Sequence, residues 1–92
     1  MNIEEIIKGC KKHDRVCQKA LYHFTAEDLM RVAKRFIKNN DEAKDVFQES
    51  YLVIFKKINQ FDPEKGSIGA WTSKIAVNIA LGKLGAKKFF QI

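Results

Sequence analysis

Asp41, Asp45 and Glu49 follow one another at intervals of four, a spacing that puts three carboxylates on one face of a helix. Such a face holds a cation only when a second acidic helix opposes it, and the sequence supplies none, so no metal is expected there. Further along, Trp71, Phe89 and Phe90 accompany Lys74, Lys83, Lys87 and Lys88 with no acid among them. Cations interleaved with aromatic rings suit single-stranded nucleic acid, because phosphates meet the charge while bases stack on the rings. Trp71 also falls on a stripe with Ile68, Ile75 and Ile79, so a place in the core is the other reading of it. On a continuous helix Cys10 and Cys17 would lie about two turns apart, too far for a disulfide, and they read as buried reduced thiols. His13 and His23 complete no ligand set. With no nucleophile beside a base, no paired carboxylates in a cleft pattern and only Gly66 and Gly69 where a phosphate loop would need more glycine, neither an enzyme nor a cofactor is expected.

The elements that must position these groups read as helices throughout, about four to five of them in a compact all-α bundle, over residues 3–11, 14–23, 26–38, 41–60 and 67–82. Ile3, Ile6, Ile7 and Cys10 form the first apolar stripe, and Val16, Cys17, Ala20, Leu21 and Phe24 the second. Thr25, followed by Glu27 and Asp28 where the helix dipole favours acids, reads as the N-cap of a third helix with Leu29, Ala33, Phe36 and Ile37 inside. Asn39 and Glu42 together start the fourth. There Phe47, Tyr51, Ile54, Ile58 and Phe61 alternate at spacings of four and three, a hydrophobic seam. Its opposite arc gathers Asp41, Glu42, Asp45, Gln48, Glu49, Lys56 and Asn59 around the lone apolar Leu52. That arc is either a solvated face or a docking surface with Leu52 as anchor and carboxylates for a basic partner. Pro63 and Gly66 mark a turn after which Ser67 caps the last helix, and Gly82 and Gly85 weaken its end, so fraying is expected after Leu81.

Ninety-two residues with a 46% hydrophobic and 30% charged composition suit a single domain. The net charge of +6 is unevenly spread: residues 67–92 carry four lysines and no acid, whereas residues 39–55 set Asp41, Glu42, Asp45 and Glu49 against Lys44. One basic and one acidic segment imply two different partners. The longest apolar run, residues 51–55, is far short of the roughly 20 residues that span a bilayer, and Glu4 and Glu5 interrupt any secretory leader. A cytoplasmic protein without a membrane partner is expected.

Taken in order, Asp14-Arg15 with Gln18-Lys19-Ala20-Leu21-Tyr22, then residues 42–49 (Glu-Ala-Lys-Asp-Val-Phe-Gln-Glu), Ile58-Asn59-Gln60-Phe61-Asp62, Ala70-Trp71 and Ile75-Ala76-Val77-Asn78 resemble region 2 of an extracytoplasmic-function (ECF) sigma factor of bacterial RNA polymerase. The resemblance spans about residues 3–81. It implies a DNA-binding transcription initiation module that docks on the clamp helices of the polymerase β′ subunit and recognises and melts the minus-ten promoter element. Asp45, Gln48, Glu49 and Leu52 would be the docking residues. Phe61 and the loop of residues 62–67, with Lys65 and Ser67, would wall a pocket for an unstacked base of the non-template strand. Asn78 would hydrogen-bond that base, or else be a surface amide without a role, and Lys74 and Lys83 would contact phosphates. An anti-sigma factor is a further partner the family implies. The family commonly carries an Arg-Lys run where Gly82 and Gly85 stand, so a weaker phosphate grip is expected, and an interaction module that binds polymerase or an anti-sigma factor with little DNA recognition is the alternative. Residues 1–92 read as one region 2 domain, without the helix-turn-helix domain that reads the minus-thirty-five element.

Overall fold

The computed structural model describes the backbone of residues 1–90 and the side chains of residues 1–85. Four helices make an all-α fold, with no strand among the described residues: α1 (Ile3–Lys11), α2 (Arg15–Phe36), α3 (Asn40–Lys57) and α4 (Ile68–Phe90), with a 3₁₀ turn at Ile58–Gln60. Each start has a local cause. The side chain of Asn2 accepts from Glu5 N at 2.8 Å, that of Asp14 from Val16 N at 2.8 Å, that of Asn39 from Glu42 N at 3.0 Å, and Ser67 Oγ from Ala70 N at 3.1 Å. Each bond satisfies a donor that the first turn of a helix leaves without an internal acceptor. The α1 end is equally defined. His13 takes a left-handed φ of 61°, Asp14 N bonds the Gly9 carbonyl at 2.9 Å and His13 N that of Cys10 at 3.0 Å, which turns the chain directly into the Asp14 cap of α2.

Four expectations about these elements are corrected. The helices expected over 14–23 and 26–38 are one helix, α2. Thr25 does not cap it: the residue is buried mid-helix, where its hydroxyl donates to the Leu21 carbonyl at 2.9 Å and lies 2.6 Å from Tyr51 Oη. Since the one threonine proton goes to Leu21, Tyr51 must donate the second bond, so the pair ties α2 to α3 with every polar atom satisfied. Continuity also moves residues around the helix. Val16 and Phe24, expected inside, are 68% and 58% exposed, while Cys17, Leu21, Leu29 and Ala33 carry the buried line. The last helix likewise runs through Gly82 and Gly85 to Phe90 instead of ending near 82.

The main core joins Ile6, Ile7 and Cys10 of α1, Leu21 and Leu29 of α2, Phe47, Tyr51 and Ile54 of α3, Ile58 of the 3₁₀ turn, then Phe61 and Ile68. A second cluster, Ala33, Ile37, Ala43, Val46 and Ala80, closes the far end. The α4 residues at the centre are Ile68, Thr72, Ala76 and Ala80, spaced by four, whereas the larger Trp71, Ile75 and Ile79 lie half-buried beside them. Small side chains on that line let α4 approach α2 and α3 closely, since interaxial distance follows the residues at the contact. Burial pushes the Cys10 thiol up to about 11, with the neighbouring Cys17 and Asp14 adding to the effect, so it stays protonated and unreactive at neutral pH.

Candidate functional site

The segment leaving α3 is built to hold an open cleft. Ile58 and Phe61 are buried and fix both ends of the 3₁₀ turn to the core. Lys11, at the end of α1, donates its ammonium to the Phe61 carbonyl at 2.9 Å. A charge-assisted bond from a lysine fifty positions away was not legible in the sequence, because α1 packing on the turn creates it. Beyond Phe61, the Asp62 carboxylate accepts from Glu64 N at 2.9 Å and its carbonyl accepts from Lys65 N at 3.0 Å, which folds the loop back before Ser67 caps α4. Trp71 then packs a tilted ring against Phe61, centroids 5.5 Å apart.

The result is a cleft of about 300 Å³ lined by Gln60, Phe61, Asp62, Lys65, Gly66, Ser67, Ala70, Trp71 and Lys74. Four of the six residues expected to meet DNA, Phe61, Lys65, Ser67 and Lys74, line this one cleft. Trp71 is therefore neither wholly core nor wholly surface: half-buried, it presents a wall to the cleft while bracing Phe61. An aromatic wall, two ammonium groups and a hydroxyl make a recess that can stack a flat heterocycle and attract the phosphate attached to it.

Asn78 is exposed on the same face of α4 as Trp71 and Lys74, at spacings of three and four, but it lines a separate cleft with Val53, Lys57, Ile75 and Ile79. Lys83 is not with either group. It lies toward α3, and its ammonium sits 3.6 Å from the Glu49 carboxylate. An exposed pair of this kind contributes about 0.2–1 kcal/mol, small enough for a competing phosphate or a basic partner to break it. Lys57, beside Asn78, and Lys11 are cations the sequence did not single out. The side chains of Lys87, Lys88, Phe89 and Phe90 lie outside the described residues.

The residues expected to dock form one outer face of α3. Asp45, Gln48, Glu49 and Leu52 are all exposed, Leu52 by 74%, while Val46, Phe47, Ser50, Tyr51 and Ile54 turn inward. A leucine that open to water beside carboxylates is the composition of a contact anchored by one apolar side chain and oriented by charge. No group of three metal-ligating side chains occurs among the described residues, and no helix among them is long and apolar enough to cross a membrane.

Comparison with known proteins follows the same geometry. The model of the family described as Sigma-70 region 2 matches residues 21–88, which takes in most of α2, all of α3, the cleft loop and most of α4. The ECF RNA polymerase sigma factor SigW of Bacillus subtilis (strain 168) is 26% identical over 88 residues, covering 96% of this chain and 46% of that protein. The ECF RNA polymerase sigma factor SigK of Mycobacterium tuberculosis (strain ATCC 25618 / H37Rv) is 22% identical over 83 residues, covering 90% of the chain and 44% of its own length. SigK of Mycobacterium bovis (strain BCG / Pasteur 1173P2) matches to the same extent. The chain thus spans about half the length of the curated relatives it matches. No solved structure matches it significantly. A helical fold whose acidic α3 precedes an aromatic cleft and a Trp-Asn helix, matched over 21–88, identifies the chain as a member of the sigma-70 region 2 family, of the ECF type.

Proposed function

We propose that the domain is a non-enzymatic, cytoplasmic initiation module with two faces: the outer α3 face docks on the β′ clamp helices of RNA polymerase, and the cleft beside Trp71 captures an unstacked base of the non-template strand in the minus-ten element. The observation that carries the DNA half is the convergence of Phe61, Lys65, Ser67, Trp71 and Lys74 on one recess. Unstacking a base costs a few kcal/mol, and stacking on Trp71 together with hydrogen bonds to the exposed base edge would offset that cost and so promote melting. Asn78, one turn beyond Lys74, is the amide on that face that can both donate to and accept from a base. Lys74 and, once freed from Glu49, Lys83 would hold phosphates, which position the strand without reading it. Asp45, Gln48, Glu49 and Leu52 would be the polymerase contacts, and no cofactor is needed for either task.

The Lys83–Glu49 pair favours a second reading, in which the domain keeps a docking face for polymerase or an anti-sigma factor but has little DNA recognition, because one of its phosphate contacts is engaged elsewhere. Binding of a panel of labelled single-stranded DNA oligonucleotides of different sequence separates the two. The first reading predicts a sequence preference, lost in Asn78→Ala, and a loss of about 1–3 kcal/mol of binding in Trp71→Ala, the worth of one stacked base. Weak binding that is indifferent to sequence and unchanged by either substitution would contradict it and support the second.

A further inference from the structure

The flank of α4 opposite the aromatic cleft carries a second recess, formed against α2. It has a volume of about 300 Å³ and is lined by Asp28, Arg31, Val32, Arg35 and Ser73. The end of α2 behind it and the two residues that follow, residues 31–38, contain Arg31, Lys34, Arg35 and Lys38 and no acid. The two arginines are not equivalent. Arg31 bonds Asp28 at 2.9 Å and lies 3.8 Å from Glu27, so the acid in the recess already has a cationic partner. Arg35 makes no ion pair among the described residues and is exposed. Arg35 therefore lines the recess together with Ser73 and has no acid paired with it among the described residues.

The placement of this recess relative to the first gives it a ligand. Ser73 lies between Trp71 and Lys74 in sequence but about 160° around α4 from Trp71, and the exposed ridge of Ala70 and Lys74 crosses the arc between them. A strand that puts a base beside Trp71 and a phosphate on Lys74 has one helix width, about 10–12 Å, to cross before it reaches Arg35. Arginine suits the far side of that crossing, because its planar fork matches two phosphate oxygens at once and binds at any sequence.

We propose that the α2–α4 recess binds a backbone phosphodiester of the same DNA single strand, with Arg35 as the bidentate contact and Ser73 as a hydroxyl donor, and with Arg31 held in place by Asp28. This assignment deepens the proposed promoter-DNA reading and rests on it. The recess adds grip and direction to the strand, and no sequence preference.

Salt dependence tests the assignment, since each phosphate contact on a single strand contributes about 0.7 to the slope of log K against log salt. The full chain is titrated with a labelled random-sequence single-stranded DNA oligonucleotide over a salt series, comparing the wild type with Arg35→Gln, Arg35→Lys and, as a control for simple loss of charge, Lys8→Gln on α1. The expected result is a slope smaller by about 0.7 in Arg35→Gln, with wild-type slopes in Arg35→Lys and Lys8→Gln. An unchanged slope in Arg35→Gln with normal wild-type binding overturns the recess and leaves the aromatic cleft standing. No binding of single strands by the wild type overturns the DNA reading and the recess together. An unchanged slope combined with weaker binding of Arg35→Gln to the isolated β′ clamp-helix hairpin also overturns it, and gives the recess to an acidic protein segment.

Discussion

Ile54→Ala is expected to destabilise the domain by about 2–5 kcal/mol. Ile54 is 0% exposed and sits in the middle of the α3 seam, joined in one cluster with residues of α1, α2, the 3₁₀ turn and α4. Removing its outer carbons loses their transfer free energy and leaves a void that four separate elements would have to move to fill. In a domain of this size such a cost is a large part of the total, because small domains are stabilised by only about 5–15 kcal/mol. Glu49→Ala and Asn78→Ala, by contrast, touch exposed side chains and should stay within about 1 kcal/mol of the wild type. Equilibrium urea melts of the three variants give the ranking directly. If Ile54→Ala were the mildest of them, the core described above would be wrong.

The second large effect runs against local propensity. In an isolated helix Gly9→Ala would gain about 1 kcal/mol. Here a Cβ at Gly9 falls on Cys17 Sγ and 2.5 Å from Cys17 Cβ, where α1 crosses the first turns of α2. The cysteine Cβ is fixed to its own backbone, so no rotamer change clears the overlap and the two helices must separate. Overpacking of this kind costs about 1–3 kcal/mol, and Gly9→Ala should lower the urea midpoint despite its better helix propensity. A double-mutant cycle with Cys17→Gly checks the cause, since the pair should lose less stability than the sum of the two single changes. Gly9→Ala with an unchanged or higher midpoint would show that α1 and α2 are not packed this closely.

What the sequence revealed and what it hid divide along a physical line. The α3 seam was legible because Phe47, Tyr51, Ile54 and Ile58 are large, apolar and spaced at the helical period, and the Asn39 cap because its bond to Glu42 is local. Thr25 misled because the same hydroxyl that caps a helix start can bond the carbonyl four residues back inside one, and only the meeting with Tyr51 decides between them. Along α4 the apolar size of Trp71, Ile75 and Ile79 pointed to the wrong line. Thr72, Ala76 and Ala80 are central because they are small, which a pattern weighted by hydrophobicity underrates. At the candidate site, the cleft residues were near one another in sequence and the resemblance named most of them. Lys11 on the Phe61 carbonyl, Lys83 on Glu49, and Arg35 and Ser73 around one recess join residues of different elements, so no local spacing encodes them.

The proposed role in initiation requires the outer face of α3 to be a docking surface. Calorimetric titration of the folded domain with the isolated β′ clamp coiled coil, wild type beside Gln48→Ala/Glu49→Lys, asks this directly. Saturable binding by the wild type and its loss in the double variant, with both proteins equally folded, is the predicted result. A wild type that folds but does not bind, or a double variant that binds as well as the wild type, would contradict it and return Asp45, Gln48, Glu49 and Leu52 to the solvent or to another partner.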